Sequence, residues 1–338
     1  MILNIFCPIW NQERIMQTST SSENMTIKTD ISDAVIGFYI PELNVRGRFI
    51  RLQKVLSDIV QMHDYPPQIS QLLGENLLLA GLLGTTLKFQ GRLTLQLQGD
   101  GPLRFVVTDF KTPDGLRGCV TFGDGFDAEN ITNSIAETAA SSIALMGNGQ
   151  LIFTIDQGQN MHNYQGIVPL EGGSLAQAAE AYFCRSEQLP TALHLAMVDY
   201  KNPASPDIHF AGGGMILQYL PVEEKEGDAT QSAFESEGWV TAKALADTLQ
   251  IDELTDPILH PHEILYRLFH EYDVEVFPAL PLQRFCQCSY EKCLDLLSQF
   301  PKEDIKDMTT QTGYIDIKCD FCSSAHSFKA DDILSSII

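Results

Sequence analysis

Five of the eight cysteines in this 338-residue chain crowd towards its C-terminal end, in "FCQCSYEKC" (285–293) and "KCDFC" (318–322). A thiolate is both the oxidisable form of cysteine and a soft metal ligand, so such a cluster can hold a metal, close disulfides, or do each in turn. Zinc takes four tetrahedral ligands, commonly delivered as two close pairs on separate turns. Cys286 with Cys288 and Cys319 with Cys322 are two such pairs, and CDFC has the spacing of a zinc knuckle. The expectation is one Zn2+ per chain on Cys286, Cys288, Cys319 and Cys322 in the reduced state. Cys293 lies on an expected helix five residues past Cys288 and is surplus to a four-thiolate set. His326 is a conceivable substitute ligand but reads better as a surface or strand histidine, and Cys7, Cys119 and Cys184 as buried small hydrophobes or incidental thiols.

The elements that must bring the two pairs together are short. Between them "YEKCLDLLSQF" and "PKEDIKDM" have helical patterns, and "YIDIK" alternates as a strand with Ile315 and Ile317 on one side and Asp316 and Lys318 on the other. Residues 284–338 carry too few apolar side chains for an independent core, and a unit of this size needs a staple or a metal. Spacing alone does not choose between a static zinc knob and a switch that opens when its thiolates are oxidised.

Upstream, residues 31–221 have the pattern of an α+β domain. "RFIRLQKVLSDIVQMHDYPP" places Leu52, Val55, Leu56, Ile59 and Val60 on one helical face, ended by Pro66 and Pro67. A second helix, about Ile69 to Leu87, is apolar nearly all round and so expected to be buried. "GRLTLQLQGDGPLRFVVTDF" and "QLIFTIDQGQNMHNYQGIVPL" read as β-hairpins. "SLAQAAEAYFCRSEQLPT" is a helix capped by Ser174, and "ALHLAMVDY" and "GGGMILQYLP" are strands. The GDG and GGG runs are expected to be a turn and a site of close strand packing, and Glu187 a helix-end hydrogen-bonding residue. Residues 222–283 form an acidic and then helical linker, in which "PHEILYRLFHEYDV" carries Ile264, Leu265, Leu268, Phe269 and Tyr272 as a stripe that must lie on something, the first domain being the nearest candidate. Residues 1–30 are expected to be a disordered extension: "MILNIFCPIW" lacks the basic start of a signal peptide, and Met25 is a plausible alternative start.

Composition narrows the function classes. A net charge of −22 gains nothing from counterion release on nucleic acid and is repelled by anionic membranes. The apolar run from Leu72 to Leu83 is interrupted by polar residues and is a core helix, not a membrane span. No phosphate-binding G-x-x-x-x-G-K-S/T, G-x-S-x-G or H-E-x-x-H occurs, so the chain is not expected to be an enzyme.

The segments "NVRGRF" (44–49), "HDYP" (63–66), "LKFQGRLTLQLQGDGPL" (87–103), "YQGIVPLEG" (164–172), "YFCRSEQLPT" (182–191), "GGGMILQYLP" (212–221), "EILYRLFHE" (263–271) and the CxC–CxxC ending occur in one order. Together they resemble the heat shock protein 33 family, the redox-regulated holdase chaperones also called 33 kDa chaperonins. The resemblance runs from about Val35 to the C-terminus. It implies a core domain, a metastable linker over 222–283 and a C-terminal redox-switch domain over 284–338. It also implies zinc on the four named cysteines when reduced, and Cys286–Cys288 and Cys319–Cys322 disulfides when oxidised. Loss of the zinc fold is then expected to loosen the linker and expose apolar surface. The oxidised homodimer would hold unfolding client proteins in the cytoplasm without ATP, with no nucleic-acid or membrane partner. Two departures from the family pattern stand out: Ser323 where a glycine often follows the CxxC, and "KNPASPDIH" (201–209), which lengthens a loop.

The competing expectation is a zinc-ribbon module with a purely structural metal, acting on nucleic acid or on another protein; the acidic balance weighs against it. A thiol oxidoreductase would place its CxxC at a helix start after a strand, without a second cysteine pair.

Overall fold

The computed structural model describes residues 31–88, 90–126, 141–158, 163–171, 173–201, 208–220 and 233–336. The N-terminal extension, Cys7, most of the 201–209 loop and the acidic start of the linker lie outside the described residues.

Two sheets form the body of the first domain, each reaching six strands with short strands from residues 275–284. The first sheet contains β1 (Ala34–Ile40), β2 (Val45–Leu52), β8 (Thr191–Lys201) and β9 (Ile208–Tyr219), in the order β1-β2-β9-β8. The second contains β3 (Arg92–Gln98), β4 (Leu103–Lys111), β5 (Gly115–Phe122), β6 (Gln150–Asp156) and β7 (Tyr164–Pro169), in the order β5-β4-β3-β6-β7. Both expected hairpins, β3–β4 and β6–β7, pair antiparallel.

Helix α1 (Lys54–Val60) follows β2, and α2 (Pro67–Gly84) lies between the two sheets, touching β2, β8 and β9 on one side and β3, β4 and β5 on the other. That position explains its sequence. A helix flanked by sheets keeps little solvent-facing surface, and fourteen residues of α2 are buried. The expected α1 began too early, because Leu52 is the last residue of β2. No side chain within α1's own first turn caps it; Asp33 supplies the cap from a distance, accepting from the amides of Gln53 and Val55 at 2.9 Å and of Lys54 at 3.2 Å. Helix α3 (Leu175–Ser186) has its Ser174 cap, whose hydroxyl accepts from the Gln177 amide at 3.2 Å. Buried Glu187, just past α3, accepts from the Tyr182 hydroxyl at 2.8 Å.

The first sheet is apolar on both faces. Val35, Ile50, Leu52 and Ile216 point at α2, whereas Phe38, Phe49, Met215 and Leu217 point the other way. Helices α4 (Glu237–Ala246), α5 (Ile251–Thr255) and α6 (Pro261–Phe269) cover that second face, burying Trp239, Ala242, Leu254, Ile264, Leu265, Leu268 and Phe269 on it. The stripe of 264–269 therefore lies on the first sheet. The GGG run is close packing, as expected: a Cβ on Gly213 would collide with the Leu254 carbonyl oxygen. Arg51, 4% exposed, reaches from β2 to donate to the backbone carbonyls of Leu259 and, at 3.4 Å, Glu253.

Three two-residue strands then stitch the chain back to the first domain. β10 (Glu275–Val276) and β11 (Leu280–Pro281) pair with β1, and β12 (Gln283–Arg284) adds parallel to the edge strand β5. The last unit is α7 (Tyr290–Leu297), α8 (Lys302–Met308), the hairpin β13 (Tyr314–Lys318) with β14 (Ala325–Lys329), and α9 (Ala330–Ser336). Its buried core is six residues: Leu297, Ile305, Ile315, Phe328, Ala330 and Ile333.

Candidate metal centre

The first cysteine pair is placed by the first domain. β12 extends the second sheet, the Phe285 amide donates to the Leu116 carbonyl at 3.0 Å, and the chain turns through Cys286 and Cys288 into α7. Ser289 caps α7, its hydroxyl accepting from the Lys292 amide at 3.3 Å, which ends the CxC turn at a defined point.

The second pair is placed by the β13–β14 hairpin. Lys318 and Ala325 are its last paired residues, and the six residues between them form the knuckle. The Cys319 amide donates to the Ser324 carbonyl at 2.9 Å and the Ser323 amide to the Cys319 carbonyl at 2.8 Å. Ser323 takes a φ of 54°, the left-handed region that a glycine occupies at little cost. Its hydroxyl donates to the Met62 carbonyl at 2.8 Å, a contact that a glycine has no atoms to make.

These two turns bring together the four sulfurs named from spacing. Cys286, Cys288, Cys319 and Cys322 Sγ atoms all lie within 4.8 Å of one another. Individual separations are 3.3 Å for Cys286 to Cys288, 3.8 Å for Cys286 to Cys319 and 3.2 Å for Cys288 to Cys322. Sulfurs at about 2.3 Å from a tetrahedral zinc stand about 3.8 Å apart, so the set fits the ion with small adjustment. The electrostatics point the same way. Burial and the neighbouring sulfurs push the Cys288 thiol well above its ordinary range and raise Cys319 as well. Burial also opposes ionisation of Cys322, but hydrogen bonding to the Ser324 hydroxyl and backbone, and to the Cys288 and Cys286 sulfurs, brings it down to about 6. One thiolate is thus readily formed and further negative charge is resisted, which is the situation a divalent cation relieves.

Cys293 is not in this group; it packs against the small core of the C-terminal unit. His326 stands on β14 beside Tyr290, outside the sulfur group. Cys119 is 6% exposed, and burial together with the nearby Asp320 charge pushes its thiol up to about 12.

A family model described as Hsp33 protein matches residues 33–329. The chain belongs to the Hsp33 family. A "33 kDa chaperonin" of Caulobacter vibrioides (strain NA1000 / CB15N) is 38% identical to this Hsp33-family chain over 295 residues, covering 87% of it and 93% of the relative. One of Escherichia coli O17:K52:H18 is 36% identical, covering 86% and 89%. The fold matches the crystal structure of a 33 kDa chaperonin from Thermotoga maritima with a TM-score of 0.70 at 22% identity, over 90% of this chain and 98% of that one. The resemblance carried by the short sequence segments is therefore correct. What spacing did not reveal is the ground on which the cysteine turns of this Hsp33-family protein sit: Arg117, Asp109 and Met62 of the first domain.

Proposed function

We propose that this chain is a redox-regulated, ATP-independent holdase, silent when reduced and activated by oxidation of Cys286, Cys288, Cys319 and Cys322. The observation that carries the reading is a four-sulfur cluster on a unit whose own buried core is six residues. Bound zinc would keep the four sulfurs together as thiolates and supply folding free energy on the order of 10–16 kcal/mol. A peroxide oxidises Cys286 with Cys288, and a second oxidises Cys319 with Cys322; each pair gives up two electrons and the peroxide becomes water. No thiolate donors remain, and six buried residues are too few to keep the unit folded alone.

Undocking of the helices over 222–283 follows, uncovering the face of the first sheet that carries Phe38, Phe49, Met215 and Leu217. Unfolding client proteins bind that apolar surface, and two oxidised copies associate as a homodimer. A reducing cytoplasm is the compartment this cycle requires. Family membership and the curated relatives named as chaperonins support the reading. The net charge of −22 supports the absence of nucleic acid among its partners.

The test uses reduced, zinc-loaded protein treated with peroxide under mildly unfolding conditions. Zinc release and light scattering of a heat-labile client are followed together. One zinc per chain should be released as client protection appears. Retained zinc, or equal protection by reduced and oxidised protein, sinks the reading.

A further inference from the structure

The outer face of the second sheet is polar along β3, where Thr94, Gln96 and Gln98 alternate with the inward Leu93, Leu95 and Leu97. Such a face is ordinarily solvated. At its β5 edge it is not. Leu116 and Val120 point into the central core, so by the two-residue alternation of a strand Arg117 and Cys119 stand on the outer face. Cys119 is nevertheless 6% exposed, and Asp109, directly across from Arg117 on β4, is 3% exposed.

Both cysteine turns lie over this edge, beside Tyr65 of the first domain, whose hydroxyl donates to the Val120 carbonyl at 3.1 Å. The Arg117 guanidinium lies 3.8 Å from the centre of the Phe321 ring and 5.1 Å from that of Phe285. Phe285 immediately precedes Cys286, and Phe321 sits between Cys319 and Cys322. From below, Asp109 holds the same guanidinium, accepting from Nε at 2.7 Å and lying 2.5 Å from Nη2, while its other oxygen accepts from the Thr94 hydroxyl at 2.6 Å. Weaker ties flank the pair. Arg92 donates to Gln287 at 3.4 Å, and the Ser323 hydroxyl donates to the Met62 carbonyl at 2.8 Å.

We propose that Arg117 is a clamp that docks the four-cysteine unit onto the second sheet through Phe285 and Phe321, so that the first domain itself helps to hold the two cysteine pairs in register. Each ring is a covalent neighbour of a ligand position, so both rings reach one guanidinium only while both turns keep their shape. Coupling of this kind is reciprocal: whatever the clamp contributes to holding the turns, intact turns contribute to docking. A desolvated cation over an aromatic face changes an equilibrium by roughly two- to thirty-fold. The proposal deepens the metal-site reading above and names Arg117 as a positioning residue.

A double-mutant cycle on the full-length reduced protein tests it, with Arg117→Gln, Phe321→Leu and the two combined. The first readout is the rate at which iodoacetamide alkylates Cys119, resolved by peptide mass, which reports undocking whether or not a metal is bound. The second is the rate of zinc loss to a chelator. Each single variant should speed both processes roughly three- to thirty-fold, and the double variant should be no faster than the faster single. Phe321→Tyr, which keeps a ring face, should stay within about twofold of the unaltered protein. Phe321→Leu leaves every residue of the second sheet intact, so its effect separates undocking from a sheet that fails to fold. Unchanged Cys119 alkylation in Phe321→Leu, or effects that multiply in the double variant, would overturn the clamp. Protein that carries no zinc after reduction would instead contradict the metal reading, while the Cys119 cycle still decides the clamp.

Discussion

Spacing sets Cys293 apart from the four-thiolate set, and the fold sets it apart as well. Cys293 is one helical turn into α7 and packs against the small C-terminal core, whereas Cys319 lies 3.8 Å from Cys286. Cys319→Ser should therefore abolish stoichiometric zinc binding, and Cys293→Ser should leave it at one ion per chain, as read by metal analysis of protein purified under reducing conditions. Asp33 makes a second residue-scale case. Three amides at the start of α1 depend on its carboxylate, so Asp33→Ala should cost about 1–2 kcal/mol, seen as a lower urea midpoint with an unchanged slope. The misplaced start of α1 has the same cause. Its cap comes from some twenty residues upstream, across a pair of strands, where no local pattern announces it.

Among the elements, α4, α5 and α6 owe their position to the first sheet having two apolar faces. The stripe of Ile264, Leu265, Leu268 and Phe269 was legible as a helical face needing a partner, because a 3.6-residue period survives in any context. The first domain was the nearest candidate partner, but which face of it was not legible, since the end of β2 read as the start of the following helix and β9 only as a strand. Fit at that contact is tight. Gly213→Ala places a methyl group against the Leu254 carbonyl, so α5 must move. The expected outcome is faster tryptic cleavage at Lys243 and Arg267, with cleavage within the second sheet unchanged.

At the scale of the whole molecule, three histidines have a lowered pKa, two of them, His63 and His194, at contacts between parts of the chain. His63 is stacked on Tyr65 near the knuckle, His194 on β8 faces Asp247 at 3.6 Å with Lys243 beside it, and His262 adjoins His260 at the start of α6. Burial is the largest influence on each and depresses its pKa below the ordinary 6.5. A depressed native pKa means that the unfolded chain binds more protons in the window between the native value and about 6.5. These contributions are therefore complete above about pH 6.5 and are lost as pH falls below it. The thermal midpoint should drop between about pH 7.5 and pH 5.5, and His194→Gln should flatten part of that slope; a midpoint that rises on acidification would contradict the assignment.

The sequence by itself determined the four ligand candidates, the two hairpins, the buried α2 and the family, because each is written in spacing, period or local order. The tertiary structure alone decided that the linker stripe covers the first sheet, that β12 joins the second, and that Ser323 reaches Met62 from a left-handed turn. It also decided that Arg117, ordinary in the sequence, stands beneath both cysteine turns. Local pattern records what a residue requires of its surroundings. Which distant surface meets that requirement is settled only when the sheets close, because the partners are chosen by shape and burial across long stretches of chain.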